Sequence, residues 1–337
     1  MEMLKKVLNS YSVQPLDIEE VTPRLYRIRD VHQEYALKQS FLSKDSLNDW
    51  EAVYHQAFSR HLSSVVPVYL TKQRNLYVEM GESIYYLSPW IESNARFKDR
   101  PAIEGFYQSL GMVHAQTKQT LEIDTGKLEA SFHTYQTFCE ESGKELLAVV
   151  EQFEQRHYMS PFELSVCTHY RDLEFSIREI SRRTSLLLDE LQGEVRWNYS
   201  LCHGNPRLSH SLSGSVPYLI NWENARYDSP VMDLADFFKQ EVRYYDYPMD
   251  QLVESFSVYH QENELTTLEL QQLTIHMLNP ANYMKILRHY VNDPQGSPEV
   301  QQVSRLQQAY RQLRFGLQFS RYVEDEYEAI AFDESES

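Results

Sequence analysis

The stretch from Leu201 to Lys239 constrains the fold of this chain more than any other part of its 337 residues. It begins with an apolar lead-in to a His203-Gly204 turn, crosses a loop with glycine and serine, and continues as an apolar strand over 216–222. A helix is predicted to start near Val231. Turn residues, a buried strand and paired polar groups are packed most densely here, so the segment predicts a site built from a loop, a hairpin and a helix.

This layout resembles the catalytic segment of the aminoglycoside phosphotransferase and choline kinase family. The family pattern runs roughly H-G-D-x-x-x-x-N, then a hairpin, then I-D-x-E and, after a proline, D-L-A. The matching positions are His203, Gly204, Ile220, Glu223, Pro230, Asp233, Leu234 and Ala235. The resemblance implies an α+β, bilobal protein-kinase-like fold with a small, mainly β N-lobe and a large helical C-lobe. It also implies structural roles for His203, Gly204 and Asp233.

Three positions depart from the family pattern. The resemblance places the catalytic base at Asn205, the metal-binding asparagine at His210 and the metal-binding aspartate at Asn221. A carboxylate at the first position would accept a proton from the attacking hydroxyl, a contribution of roughly 100- to 10,000-fold in rate, which a neutral amide cannot make. Mg²⁺ prefers oxygen ligands that include carboxylates, so an amide with an imidazole is a poor set. We therefore expect no catalytic residues and no metal site.

Two alternatives remain open because some charged groups survive. Glu223 and Asp228 still offer carboxylates, and Arg207 lies where protein kinases keep a cation near the transferred phosphate. The chain could thus be a small-molecule phosphotransferase with atypical catalytic residues, or a nucleotide- or sugar-binding sensor without turnover. ATP and Mg²⁺ are expected only under these alternatives.

The N-terminal part has the order of strands and helix found in the small lobe of kinase-like folds. Short runs rich in Tyr, Val, Ile and Leu predict strands over 26–28, 35–39, 66–70, 75–79 and 84–87. Helical spacing predicts one helix over 46–62, with Ser46 as its N-cap.

Lys38 and Glu51 are the candidate nucleotide-binding residues of this part. Lys38 lies where kinase-like folds keep the strand lysine that holds phosphates, and Glu51 lies where its ion-pair partner would be. A lysine at the end of an edge strand is equally a solubilising device. A phosphate cradle needs glycines for close approach of backbone N–H groups, and 13–35 contains none. This absence argues against tight binding of ATP phosphates.

The pattern predicts four segments: an N-lobe over 1–87, a hinge over 88–93, a helical C-lobe over 94–322 and an acidic, mobile tail over 323–337. The C-lobe helices are predicted over 101–119, 127–157, 161–191, 232–243, 251–260, 265–276, 281–291 and 298–322. A solvated face with i,i+4 charge pairing is predicted on the third of these from Arg171, Arg178, Arg182 and Arg183 opposite Asp172, Glu174 and Glu179. His114 is interpreted as a core or capping histidine.

Composition excludes several classes of protein. The net charge of -17 would repel a phosphate backbone, so nucleic acid is not an expected partner. No run approaches 18 apolar residues, so no membrane span is expected. The N-terminus lacks the apolar core of a secretory signal, so no such signal is expected. The three cysteines, Cys139, Cys167 and Cys202, are widely separated, which favours reduced thiols in a cytoplasmic compartment.

Among kinase-like sequences, the chain is similar to the CotS-related spore coat proteins of endospore-forming bacilli, of the YutH and YsxE kind. The segments H-G-N-P-R-L-S-H and I-N-W-E-N fit a degenerate member of that group. The resemblance implies a catalytically inactive, structural or assembly component of the spore coat. It further implies other spore coat proteins as partners, and synthesis in the mother-cell cytoplasm before assembly onto the spore.

Overall fold

A computed structural model of the chain describes residues 2–92, 99–191, 196–212, 217–243 and 248–328, and only the backbone of residues 44 and 45. The helices are α1 (Glu2–Ser10), α2 (Lys44–Ser59), α3 (Arg100–Thr117), α4 (Thr125–Glu154), α5 (Pro161–Glu190), α6 (Pro230–Glu241), α7 (Met249–Glu254), α8 (Phe256–Glu262), α9 (Thr267–Leu278), α10 (Ala281–Asn292) and α11 (Glu299–Val323). The strands are β1 (Asp17–Thr22), β2 (Leu25–Arg29), β3 (Glu34–Ser40), β4 (Val78–Met80), β5 (Ser83–Pro89), β6 (Gln119–Glu122), β7 (Arg196–Cys202), β8 (Ser211–Leu212), β9 (Tyr218–Leu219) and β10 (Arg226–Asp228). This is the predicted α+β fold, with a small antiparallel sheet followed by a large helical part.

The chain divides into two compact units. The first unit comprises Met1–Lys118, Ser200–Asp228 and Ser257–Asn263, and the second comprises Gln119–Tyr199, Ser229–Phe256 and Glu264–Ser337. The first unit therefore contains the sheet, α3 and most of the family-like segment. The predicted lobes are continuous in sequence, whereas these units are discontinuous, so the lobe boundaries stay a prediction. Residue 93 of the predicted hinge lies outside the described residues.

The first unit is built on a five-stranded antiparallel sheet in the order β1-β2-β3-β5-β4. The strands predicted over 26–28, 35–39 and 84–87 correspond to β2, β3 and β5. The strand predicted over 75–79 is mostly wrong, because only Val78–Met80 pairs with β5. The prediction for 66–70 is also wrong: this run is not a strand, and only its neighbour Val65 forms an isolated bridge, to Leu219.

The sheet buries one face against α1. Tyr35 and Leu37 of β3, together with Tyr85 and Leu87 of β5, belong to a core cluster with the apolar side of α1. Side chains alternate along a strand, so the neighbour of Leu37 on β3, Lys38, points to the opposite face. The packing of α1 therefore decides which face of the sheet carries the candidate site.

That opposite face is covered by α2. Trp50 is 1% exposed and packs edge-on against Tyr54, with a ring-centroid distance of 4.9 Å, and against Tyr86 of β5 at 5.1 Å. The N-cap of α2 is Ser43, whose hydroxyl accepts from Ser46 N at 3.2 Å, so the predicted cap at Ser46 was three residues too late.

The second unit is a helical core. An apolar cluster in this unit draws on α4, α5, α9, α10 and α11. A capping box begins α5, in which Ser160 and Glu163 each bond the other's backbone N–H. Eight helices were predicted for the C-lobe, 94–322; seven are found near the predicted bounds, and the run predicted over 251–260 is divided at Ser255 into α7 and α8.

Arg183 corrects the prediction of a solvated charged face on α5. Its side chain is fully buried and forms ion pairs with Glu179 and Glu328, each at 2.7 Å. It also donates to Gln271 Oε1 and to Ser320 Oγ. Arg178 and Arg182 do lie on an exposed side and pair with Glu174 and Glu179 as expected.

The beginning of the acidic tail is ordered, contrary to the prediction of a mobile segment. Glu324–Glu328 forms a π-helical turn after α11, and Glu328 is held by Arg183. The remainder of the predicted tail, 329–337, lies outside the described residues.

Two findings concern the cysteines and the length of the apolar helices. Cys139, Cys167 and Cys202 are free thiols, and two of them are buried. Within the described ranges, no helix is long and apolar enough to cross a membrane.

Candidate functional site

The loop that carries the family-like residues is attached to α3. Ser200 Oγ donates to His114 O at 2.9 Å, and Leu201 N donates to Thr117 Oγ1 at 2.9 Å. His114 itself is fully buried, and its Nδ1 lies 2.7 Å from Tyr259 Oη, as expected for a core histidine. These bonds fix where β7 ends and where the following loop begins.

Gly204 is required by the shape of this loop. Its φ of +75° lies in the left-handed region, and a Cβ at this position would lie 1.9 Å from Asn224 O. The structural role predicted for Gly204 thus has a physical basis in the close approach of two backbone segments.

His203 holds the loop against the strand that follows it. Its Nε2 donates to Ile220 O at 2.8 Å, and its Nδ1 accepts from Asn205 N at 3.3 Å. Both bonds are satisfied by one neutral tautomer, with the proton on Nε2. The imidazole is fully buried against Trp222, so His203 serves as a structural brace.

The sequence resemblance places the family's catalytic base at Asn205. Its side-chain Oδ1 accepts from Arg207 Nε at 3.2 Å, and its backbone oxygen lies 3.0 Å from His210 Nδ1. The amide oxygen is therefore engaged with a cation, and an amide has no protonation state that would let it take a proton from a substrate hydroxyl.

His210 is a neutral imidazole. Burial lowers its pKa to about 3, and the neighbouring His203 and the charges of Lys38 and Arg207 act in the same direction. The bond to Asn205 O opposes this shift without reversing it. The ring lies nearly parallel to His203 at a centroid distance of 5.5 Å.

Asn221 adopts the left-handed conformation, with φ 69° and ψ 45°, as the residue before a short 3-10 helix over Trp222–Asn224. Asparagine tolerates this conformation better than most residues. The predicted strand over 216–222 is accordingly reduced to β9, and its first residue lies outside the described residues.

Lys38 is paired with the family-like segment. Its Nζ lies 2.8 Å from Glu223 Oε1 and also donates to Asn221 Oδ1. Tyr86, which faces Lys38 across the β3–β5 register, donates to the same oxygen of Glu223 at 3.0 Å. Burial, followed by the nearby Tyr54 and Glu223, raises the pKa of the Tyr86 hydroxyl, which keeps it a donor.

Glu51 does not take part in this network. Among the described residues, no hydrogen bond or ion pair joins it to Lys38. Successive helix positions are turned by about 100°, so α2 directs Trp50 at the sheet and Glu51 away from that direction. The nucleotide-binding role predicted for Lys38 and Glu51 stays a prediction, but the ion pair that Lys38 makes is with Glu223.

The donor set does not fit Mg²⁺ well. Of the side chains at the family's metal and base positions, Asn205, His210 and Asn221 are neutral, and the oxygens of Asn205 and Asn221 accept from cations. The carboxylate of Glu223 is neutralised by Lys38. Mg²⁺ binding normally requires one or two available carboxylates, so we assign no metal site here.

The two other acidic candidates are also engaged. Asp228 Oδ2 accepts from Arg226 Nε at 2.9 Å. Asp233 is 1% exposed in the first turn of α6, where its negative charge interacts favourably with the helix dipole. The structural role predicted for Asp233 stays a prediction.

The Lys38 network borders a cavity of about 460 Å³ within the first unit. Its apolar wall is formed by Leu25, Ala36, Val66, Ile91, Leu212 and Ile220, and its polar side includes Arg24, Lys38, His210 and Asn221. This volume and this mixture of surfaces are typical of small-molecule sites.

Sequence reasoning missed two groups at this cavity. Tyr86 was assigned only to a strand, although its position opposite Lys38 follows once the β3–β5 register is known. Arg24 lies in the β1–β2 turn, where the phosphate loop would be sought, and supplies a side-chain cation in a segment without glycine.

The chain is similar in structure to several phosphotransferases. An aminoglycoside phosphotransferase from Alicyclobacillus acidocaldarius subsp. acidocaldarius DSM 446 matches at 15% identity and a TM-score of 0.67, with 96% of each chain covered. Spectinomycin phosphotransferase in complex with ADP and spectinomycin matches at 10% identity and a TM-score of 0.54, over 95% of this chain and 98% of that one. Amicoumacin kinase matches at 14% identity and a TM-score of 0.50, over 95% and 92%.

These likenesses establish the fold, which is that of the aminoglycoside phosphotransferase-like kinases. No family model and no curated protein matches the sequence.

Proposed function

We propose that this chain is a kinase-like protein that does not transfer phosphate and that serves as a structural or assembly component of the spore coat. The observation that carries the catalytic part is the pairing of Glu223 with Lys38 at 2.8 Å. Glu223 is the carboxylate that matches the glutamate of the I-D-x-E motif, and Lys38 would otherwise be available to hold phosphate. Asn205, His210 and Asn221 supply neither a proton acceptor of suitable pKa nor a carboxylate for magnesium.

Phosphate transfer is tested directly with ATP and Mg²⁺. The expected result is no hydrolysis and no transfer to aminoglycosides, aminosugars or choline above a control without protein. The triple variant Asn205→Asp, His210→Asn, Asn221→Asp restores the family pattern at the departing positions. Activity in the natural chain that Lys38→Ala abolishes would contradict the proposal, and a further rise in the triple variant would then support the alternative of an atypical phosphotransferase.

The spore coat part rests on the sequence resemblance to CotS-related proteins. The expected result is that the protein, followed with an antibody through sporulation of its source organism, appears in the mother cell and then in the coat fraction of purified spores. Presence in growing cells with no enrichment in that fraction would contradict it. Spores that lack the protein are expected to differ in the composition of extracted coat proteins.

A second candidate function is supported by the cavity in the first unit. A volume of about 460 Å³ with an apolar wall and cations at one side suits a nucleotide or an aminosugar held without turnover. A ligand present at 100 times its Kd would raise the unfolding free energy by about 2.7 kcal/mol. A rise in melting temperature with ATP or ADP that does not depend on Mg²⁺ would favour this sensor function. If neither nucleotide changes the melting temperature, the scaffold function remains the better supported one.

A further inference from the structure

A second cavity, of about 550 Å³, lies within the second unit. It is formed where α6, α10 and α11 meet, and it shares no lining residue with the cavity of the first unit. Its floor is rigid: Phe162 and Tyr290 are buried and stacked, with a centroid distance of 4.0 Å and an interplanar angle of 12°. Tyr290 is fixed further by its hydroxyl, which donates to Glu163 Oε1 at 3.0 Å.

The wall of this cavity is strongly basic. The residues that line it include Lys239, Arg243, Lys285, His289 and Arg305, and no aspartate or glutamate is among them. The chain as a whole has a net charge of -17, with 49 acidic residues against 32 lysines and arginines. In this cavity the charged residues are all basic, whereas the composition of the chain would favour acidic residues on any surface.

Three of these cations make no ion pair with a carboxylate in the part of the chain that the structure describes: Lys239, Lys285 and Arg305.

Hydrogen-bond donors accompany the charges. Gln240, Asn282 and Gln308 line the same cavity. Gln312 Nε2 donates to Lys239 O at 3.0 Å, which attaches α11 to α6 and fixes the spacing of the two basic walls. A site with several cations, neutral amide donors and a rigid floor is suited to an anion of high charge and small size.

We propose that this cavity binds a small anion with several phosphate charges, such as an oligophosphate or an organic molecule with two phosphate groups. The charges of Lys239, Lys285 and Arg305 together match about three negative charges, whereas a single carboxylate would leave most of this positive charge uncompensated. Lysine and arginine side chains together with amide N–H groups are the usual ligands of phosphate oxygens.

The test is calorimetric titration of the full chain at low salt with inorganic phosphate, tripolyphosphate, fructose 1,6-bisphosphate and citrate. Binding of tripolyphosphate or of the bisphosphate, tighter than that of phosphate and weakened by added salt, is expected. If only tripolyphosphate binds, the natural ligand is an oligophosphate. If the bisphosphate binds at least as tightly as tripolyphosphate, the natural ligand is an organic phosphate. Tighter binding of citrate than of either, or no heat with any of these anions, would overturn the proposal.

Variants locate the site. Lys285→Gln with Arg305→Gln is expected to weaken binding by about tenfold or more, because two of the cations are lost. The matched control is Lys144→Gln with Arg171→Gln, two exposed basic residues of α4 and α5 outside the cavity, which should leave affinity within about twofold. Equal losses in both double variants would mean nonspecific attraction and would overturn the proposal.

A third variant separates this site from the cavity of the first unit. Loss of binding in Lys38→Ala, with binding kept in Lys285→Gln, Arg305→Gln, would place the anion beside Lys38 and refute the assignment. Thermal melts of every variant establish that it is folded before it is titrated.

Discussion

Gly204 shows at the level of one residue why this loop keeps its shape although Asn205, His210 and Asn221 depart from the family pattern. The loop passes so close to Asn224 that no side chain fits at this position. The constraint is a property of the backbone and does not depend on any catalytic step, so it applies equally to an inactive chain.

We expect Gly204→Ala to destabilise the protein by more than about 2 kcal/mol, because a strained φ and a backbone clash are combined. Gly81→Ala is the matched control: its φ is +66°, but a Cβ there would meet no atom within 4 Å. The control should cost only about 1 kcal/mol, the strain alone. Urea unfolding of both variants measures the difference, and equal losses would show that the close approach to Asn224 is absent.

The pairing of Lys38 with Glu223 could not be predicted from the sequence. The departures at Asn205, His210 and Asn221 follow from spacing within one short segment, and the structure brings His210 and Asn221 to the same cavity as Lys38. The bond from Lys38 to Asn221 joins positions 183 residues apart, and Glu223 lies two residues further along the chain. They depend on the register of β3 with β5 and on the left-handed turn at Asn221, neither of which is visible in a local pattern.

At the level of elements, long amphipathic helices were predictable and short exposed strands were not. A helix such as α5 repeats its apolar residues over many turns, which fixes its type and approximate ends. β1, with the sequence DIEEVT, has no buried residue and therefore no alternation to detect. Its strand character comes from its backbone bonds to β2.

The periodicity of the N-terminal sequence is sufficient to predict α1. Leu4, Val7, Leu8 and Tyr11 follow the i, i+3, i+4, i+7 pattern, and all four are buried in the cluster with the sheet.

Arg183 gives the prediction that belongs to α5. Because its guanidinium is fully buried between Glu179 and Glu328, Arg183→Met removes the buried cation that both carboxylates share and leaves Glu179 with only its more exposed pair to Arg182, at a cost of about 3–5 kcal/mol. Arg178→Met on the same helix removes only an exposed pair with Glu174 and should change stability by less than about 1 kcal/mol.

Chemical denaturation of the two variants tests this difference. Limited proteolysis adds a second measurement, because the loss of Arg183 should also release the π-helical turn at Glu324–Glu328 for cleavage. Similar, small losses of stability in both variants would contradict the buried network.

At the level of the whole molecule, three histidines make the folded state sensitive to acid. Burial lowers the pKa of His169 to about 4, that of His210 to about 3 and that of His276 to about 4. The charge of Asp172 opposes the shift at His169, whereas that of Lys239 adds to the shift at His276. Each imidazole therefore binds a proton more weakly in the folded chain than in the unfolded chain, where its pKa has the ordinary value of 6.5.

The unfolded chain takes up these protons as the pH falls below 6.5, and the folded chain takes them up only near pH 4 at His169 and His276 and near pH 3 at His210. The stabilisation is thus fully present above pH 6.5 and is lost as the pH falls toward 4, at up to about 1.4 kcal/mol per pH unit for each histidine. Burial raises the pKa of Glu190, so this carboxyl adds stability as the pH falls, but it is one group against three histidines. Urea midpoints at pH 7, 6 and 5 should fall steeply between the last two, and His276→Gln should reduce that slope by roughly a third. A midpoint that stays constant from pH 7 to pH 5 would show that the folded chain binds these protons as readily as the unfolded chain does.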